Sequence, residues 1–233
     1  MKRLYNYRIT FLAGLFALVM TACSTGATEE NKAGGFFEGI VTYQVTYEGN
    51  EAYVSSSTAK TGKTSHYCFR QGNYYQDYDG QELEYTLYLK EPNFYLTKYK
   101  GFDTLDLIDC SREMASKHDI HEIRSKKTHE MILGKDCQVI SVGFHEDKSF
   151  LKNIDFYYNP HVMPIDAKWE AHNPMYNLSA VFERTHALPL KIVYDYGELR
   201  IIYTAIEIKD QDLESFFLET DKQALKKAHR AMN

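Results

Sequence analysis

An antiparallel β fold is what this 233-residue sequence predicts. Apolar and polar residues alternate with a period of two in segment after segment, which is the signature of strands with one buried face. Short turn signals, Gln71-Gly72, Asp79-Gly80 and Tyr196-Gly197-Glu198 among them, separate those segments and suit antiparallel neighbours. Long helical patterns do not alternate with the strands, so the mainly β reading is a single antiparallel sheet of about ten strands with one or two short helices. Composition agrees, since 19 Tyr and 13 Phe favour a pleated, half-buried surface.

The first strand places Phe37, Gly39, Val41, Tyr43, Val45 and Tyr47 on one face, with Glu38, Thr42, Gln44 and Thr46 on the other. Lys63 to Arg70 and Asn73 to Tyr78 form a hairpin around Gln71-Gly72, and Asp79-Gly80 turns the chain into Glu82 to Leu89. In that strand Leu83, Tyr85, Leu87 and Leu89 alternate with Glu82, Glu84, Thr86 and Tyr88. Strands over Phe94 to Tyr99 and Thr104 to Asp109 follow. Arg112 to Arg124 is polar and mixed, a short helix or an excursion between strands. The alternation resumes in Thr128 to Leu133, Cys137 to Phe144 and the set Ile154, Phe156 and Tyr158. Trp169 to Tyr176 reads as a helical turn or a loop. Leu178 to Arg184, Leu190 to Tyr196 and Leu199 to Ile208 then read as a three-stranded meander. Thr220 and Gln223 have the spacing of a capping box, which predicts a terminal helix over Ala224 to Ala231.

The N-terminus carries an address. Lys2, Arg3 and Arg8 precede an uncharged run from Ile9 to Met20, the layout of a secretory signal and too short to span a bilayer. Val19-Met20-Thr21-Ala22-Cys23 resembles the lipobox of bacterial lipoproteins. The resemblance implies a signal peptide over residues 1–22 and a lipid on Cys23. Multiple acyl chains hold a protein far more firmly than one, because each buried methylene contributes about 0.8 kcal/mol. The membrane is then a partner through Cys23. Residues 23–35, polar and Gly-rich after the cysteine, form a flexible tether, and residues 36–233 form one domain. Ser24 stands where a signal for retention in the inner membrane would show Asp, so the resemblance favours an outer-membrane lipoprotein facing the periplasm or the cell surface.

Removing residues 1–22 takes away three basic and no acidic side chains, moving the net charge from −5 to −8. That balance argues against nucleic acid as a partner, since phosphate binding rests on clustered Lys and Arg. Cys68, Cys110 and Cys137 remain in the body, and in an oxidising compartment Cys110 and Cys137 are the pair expected to bridge. His118 and His121, with Asp119 or Glu122, have spacing that could share a metal, but a solvated polar segment is the better reading and HExxH is missing. No GxSxG elbow and no phosphate-cradling glycine loop occurs, so no catalytic residue, metal or cofactor is assigned and a non-enzymatic protein is expected.

Two stretches carry a family resemblance. Thr128-His129-Glu130-Met131-Ile132-Leu133-Gly134-Lys135-Asp136-Cys137, followed by Phe156-Tyr157-Tyr158-Asn159-Pro160, resembles a pattern in small lipoproteins of Bacteroidetes, and Ala187-Leu188-Pro189-Leu190-Lys191 resembles a second. Such proteins are similar in fold to the lipoprotein-localisation carriers. The resemblance implies a curved sheet, a half-barrel closed by helices over an apolar cavity. Tyr43, Tyr85, Tyr157 and Tyr203 are the aromatics expected to line such a groove. Two functions follow as expectations: binding or carrying an apolar ligand such as a lipid or acylated peptide, or serving as an accessory subunit of an envelope assembly with a protein partner.

Overall fold

The computed structural model describes residues 35–111, 120–145, 149–171 and 178–220. The expected signal peptide, Cys23, the expected tether up to residue 34, His118, Asp119 and the expected helix over Ala224 to Ala231 lie outside the described residues.

Eleven strands form one antiparallel sheet. In chain order they are β1 (Gly39–Gly49), β2 (Thr64–Arg70), β3 (Asn73–Tyr78), β4 (Leu83–Leu89), β5 (Phe94–Tyr99), β6 (Leu105–Asp109), β7 (Ile120–Lys126), β10 (Gln138–Phe144), β11 (Asn153–Tyr158), β12 (Pro189–Asp195) and β13 (Leu199–Asp210). A separate two-residue ladder pairs β8 (Met131–Ile132) with β9 (Lys135–Asp136). Helix α1 (Glu51–Thr61), a 3-10 turn over Ala167–Glu170, helix α2 (Leu178–Thr185) and helical residues 214–220, here α3, complete the fold.

The sheet order is β6-β5-β4-β3-β2-β1-β13-β12-β11-β10-β7. The first and last strands therefore pair at its centre, while β6 and β7, consecutive along the chain, stand at its two edges. A flat sheet of that width would separate its edges by about 48 Å. The ten residues between Asp109 and Ile120 reach roughly 36–40 Å when fully extended, so the sheet has to curl. Between the described residues of β6 and β7 no ladder closes it, and the result is an open, curved wall.

Most of the expected strands are present, and the hairpin of β2 and β3 turns where expected, with Gln71 (φ 49°) and Gly72 (φ 88°) both left-handed. Four segments differ. Thr128 to Leu133, expected as a strand, contributes only Met131–Ile132, paired with Lys135–Asp136 apart from the main sheet. Glu51–Thr61, which carries no alternation signal, is a helix capped by Asn50, whose side chain accepts from Ala52 N at 3.0 Å. Ile120–Lys126 is an edge strand where an excursion was expected. Leu178–Thr185, expected as a strand of a meander, is helix α2. Its buried residues Val181, Phe182 and Thr185 follow the 3.6-residue period, and β12 and β13 pair directly without it.

Both faces of the β1–β6 half are covered. On the outer face Leu87, Leu89, Leu96 and Cys68 pack with Leu213, just before α3, and with Phe217 of α3. Arg70 ties that segment down through Glu38, whose carboxylate also accepts from Leu213 N at 2.8 Å. The outer face of the other half carries ion pairs beside the buried Val139, Val193 and Ile202: Lys126 pairs with Asp155 at 2.8 Å, and Lys191 pairs with Glu130 at 2.6 Å while lying over the Tyr157 ring. Among the described residues no helix is long and apolar enough to cross a membrane.

A tyrosine-lined cavity inside the curved sheet

The inner face of the sheet encloses a cavity of about 500 Å³, a size that takes a small organic ligand. Eight of the eleven strands contribute to it, which only a curled sheet allows. Strand register explains the lining. Gly39, Phe69, Tyr74, Tyr88 and Tyr95 form one cross-strand row, and Val41, Tyr67, Gln76, Thr86 and Thr97 form the next. On the far side of β1, Tyr203 pairs with Ile192, and Ile201 with Tyr194. One extra residue in β4 at Glu84 shifts the pairing, so that Leu83, expected on the face of Tyr85 and Leu87, joins the cavity wall.

The end of the cavity nearest the 3-10 turn is packed shut. Trp169 lies 6.2 Å from the Phe69 ring and 5.0 Å from Phe36, and Phe182 and Leu178 of α2 close the wall beside Phe156. The other end lies under α1, which presents Ser57, Lys60 and Thr61. Asn50 N donates to Glu198 O, and Gln81 N donates to Ala59 O, so both ends of α1 are fastened to neighbouring turns. At its C-terminus Gly62 (φ 81°) is required twice over, by its left-handed backbone and because a Cβ there would run into Asp79 and Gly80.

Nine tyrosines line the cavity. Several touch one another in a chain: Tyr74 stacks on Tyr67 at 5.3 Å, Tyr67 meets Tyr43 edge-on at 6.5 Å, and Tyr43 meets Tyr203 edge-on at 6.2 Å. The Tyr43 hydroxyl donates to Pro189 O at 2.6 Å, fixing β1 to the start of β12. Burial pushes the phenols of Tyr43, Tyr67, Tyr74 and Tyr203 above their ordinary value, and the buried carboxylate of Glu170 pushes Tyr67 and Tyr74 further. These rings therefore stay neutral at physiological pH, offering hydrogen bonds without charge. Among the described residues that line the cavity, Lys60 is the one with a charged side chain.

Of the four tyrosines expected at a groove, Tyr43 and Tyr203 line the cavity. Tyr85 packs on the outer face against Tyr75, and Tyr157 lies outside under Lys191. The parity of Phe156 and Tyr158 already assigned Tyr157 to the opposite face. Seven lining tyrosines were not singled out, and counting inward positions along each strand would have found most of them. Cys110 and Cys137 lie in one buried cluster as separate thiols, donating to Ile108 O and Lys135 O. Cys68 is buried in the outer layer, where burial pushes its thiol up to about 12, well away from reactivity. His121 rests against the His145 ring at 5.0 Å and Glu122 pairs with Arg124 at 3.3 Å. Among the described residues no three His, Cys, Asp or Glu side chains converge as metal ligands.

No protein-family model and no curated protein matches the chain, so the resemblance to Bacteroidetes lipoproteins stands on its short motifs alone. Among solved structures it is similar to a LolA superfamily protein from Nitrosomonas europaea. That likeness spans 78% of this chain and 89% of the other at 9% identity, with a TM-score of 0.25. At that distance no residue role is carried across. The architecture and the cavity rest on the strand pairing described above.

Proposed function

We propose that this chain is a membrane-tethered binding protein of the bacterial cell envelope, which takes up an apolar ligand in the cavity of its curved sheet. One observation carries the reading: the inner face borders open space where the outer face of β2, β4 and β5 is packed solid. A sheet has to bury its apolar side, and one that leaves a walled void has room for a guest. Binding also suits the lining, whose neutral phenols supply contact area and hydrogen bonds and no nucleophile. The N-terminal pattern ending at Cys23 supports the tether, with the lipid on that cysteine as the anchor.

Native mass spectrometry of the chain extracted from its own membranes tests the binding. A co-purifying small molecule, lost when Ile192→Trp fills the cavity, is the expected result. A chain that is always recovered empty, or recovered only with a stoichiometric protein partner, overturns the carrier reading in favour of an accessory subunit. The tether is tested by metabolic labelling with an alkyne-bearing fatty acid. Labelling should vanish in Cys23→Ala, and labelling that persists removes Cys23 as the attachment point.

A further inference from the structure

The two walls of the cavity differ in chemistry. Register places Gln76 opposite Thr86, and Thr86 opposite Thr97, so one continuous polar row crosses β3, β4 and β5 on the inner face. Neighbouring strands lie about 4.8 Å apart, which makes the row about 10 Å long. Its first member is oriented from outside the row, since Gln76 Nε2 donates to Ser65 Oγ at 2.9 Å. Thr86, at the middle of the row, is 4% exposed, and Gln76 and Thr97 on either side are half-buried. Across the cavity, beyond β2 and β1, the wall of β12 and β13 presents the aliphatic Ile192, Leu199 and Ile201 together with Pro189, Tyr194 and Tyr203, and among the described residues none of the Gln or Thr kind. Lys60 projects from α1 at one end.

A plain hydrocarbon chain would meet the aliphatic residues well, yet it would leave the Thr86 and Thr97 hydroxyls facing hydrocarbon, and buried unsatisfied polar groups are costly. A strongly polar ligand would satisfy the row and waste the aliphatic wall. We infer that the cavity selects a facially amphipathic anion: a rigid body with hydroxyl groups along one edge, hydrocarbon along the other, and an acid group at one end for Lys60. Hydroxylated sterol acids have this chemistry. The inference deepens the binding reading above and rests on it.

Calorimetric titration of the full chain with three compounds separates the possibilities: cholate, the same ring system without its hydroxyls, and laurate, each below its micellar concentration. Cholate is expected to bind at least about tenfold more tightly than the hydroxyl-free acid, a difference two good hydrogen bonds supply. The double variant Thr86→Val with Thr97→Val should erase that advantage while leaving the hydroxyl-free acid bound. Lys60→Gln, on an exposed helix position and so harmless to folding, should weaken both acids several-fold. Equal affinity for cholate and the hydroxyl-free acid, or a preference for laurate, overturns the facial selection and leaves apolar binding intact. If none of the three binds and the chain is always recovered empty from membranes, the binding reading itself falls.

Discussion

Two covers lie over the two faces of the same strands, and they are built differently. The outer cover is the start of α3 with the residue before it, which drives Phe217 and Leu213 into the leucine layer of β4 and β5 until they are 2% and 3% exposed. The inner cover is α1, which buries none of its residues and turns Ser57, Lys60 and Thr61 toward the cavity. One is held by apolar area removed from water. The other is held at its ends by backbone hydrogen bonds and by Asn50 and Gly62. Burial by itself does not tell a core from a binding site, since Leu87 and Thr86 are adjacent and both buried. The covering element makes the difference: side chains that fill the space produce a core, and a helix that bridges it produces a cavity.

The sharpest way to break that comparison is Phe217→Ala. It should cost about 3–5 kcal/mol in urea unfolding, the usual range for a buried aromatic. A loss no greater than that of weakening α1 would mean the outer cover is not what consolidates the fold. The next test uses the adjacent pair. Leu87→Ala is expected to cost about 2–5 kcal/mol, whereas Thr86→Val should change stability by less than about 1.5 kcal/mol, because the latter replaces a hydroxyl facing open space and leaves no void. Similar losses at both positions would argue that the inner wall is packed as tightly as the outer one.

Asn50→Ala sharpens the same contrast on the inner cover, with an expected cost of about 1 kcal/mol for a lost N-cap. Amide hydrogen exchange should quicken along α1 and stay unchanged in β4 and β5. The smallest effect is expected at an ion pair of the outer flank. Burial alone would raise Asp155, but hydrogen bonds from Lys126, Ser141 and Asn153 outweigh it and hold the carboxyl below its ordinary 3.8. A carboxyl depressed in the folded state stabilises the fold above the unfolded pKa and loses that contribution as pH falls through the folded one. Stability should thus decline from about pH 4 downward, and Asp155→Asn should flatten part of that slope in acid denaturation. An unchanged slope would assign the acid sensitivity to other carboxylates.

Much of the sheet was legible before any coordinates. The alternation in β1 and the Gln71-Gly72 turn are local, because a strand with one buried face and a two-residue turn are each set by neighbouring residues. The candidate site was only partly legible. Tyr43 and Tyr203 were found, while Tyr85 and Tyr157 were assigned to the wrong side. Alternation says which residues share a face without saying which face lies inward, and in β4 both faces are buried, so hydrophobicity does not distinguish them. Leu178–Thr185 was misread because a short apolar run satisfies two periods, and the tertiary contact of Phe182 beside the cavity decides for the helix.

The sequence by itself determined the class of fold, most of the strands, the acidic balance that argues against nucleic acid, and the N-terminal pattern on which the tether at Cys23 is proposed. All of these depend on residues close together along the chain. The tertiary structure decided the rest: that β1 and β13 meet at the centre, that β6 and β7 stand at opposite edges, and that the polar row of Gln76, Thr86 and Thr97 looks across at Ile192 and Ile201. The pairing of β1 with β13 and the two facing walls join residues about a hundred positions or more apart, and the separation of β6 from β7 parts residues that are neighbours along the chain. These relations exist only once the sheet has curled and a helix has bridged the space inside it.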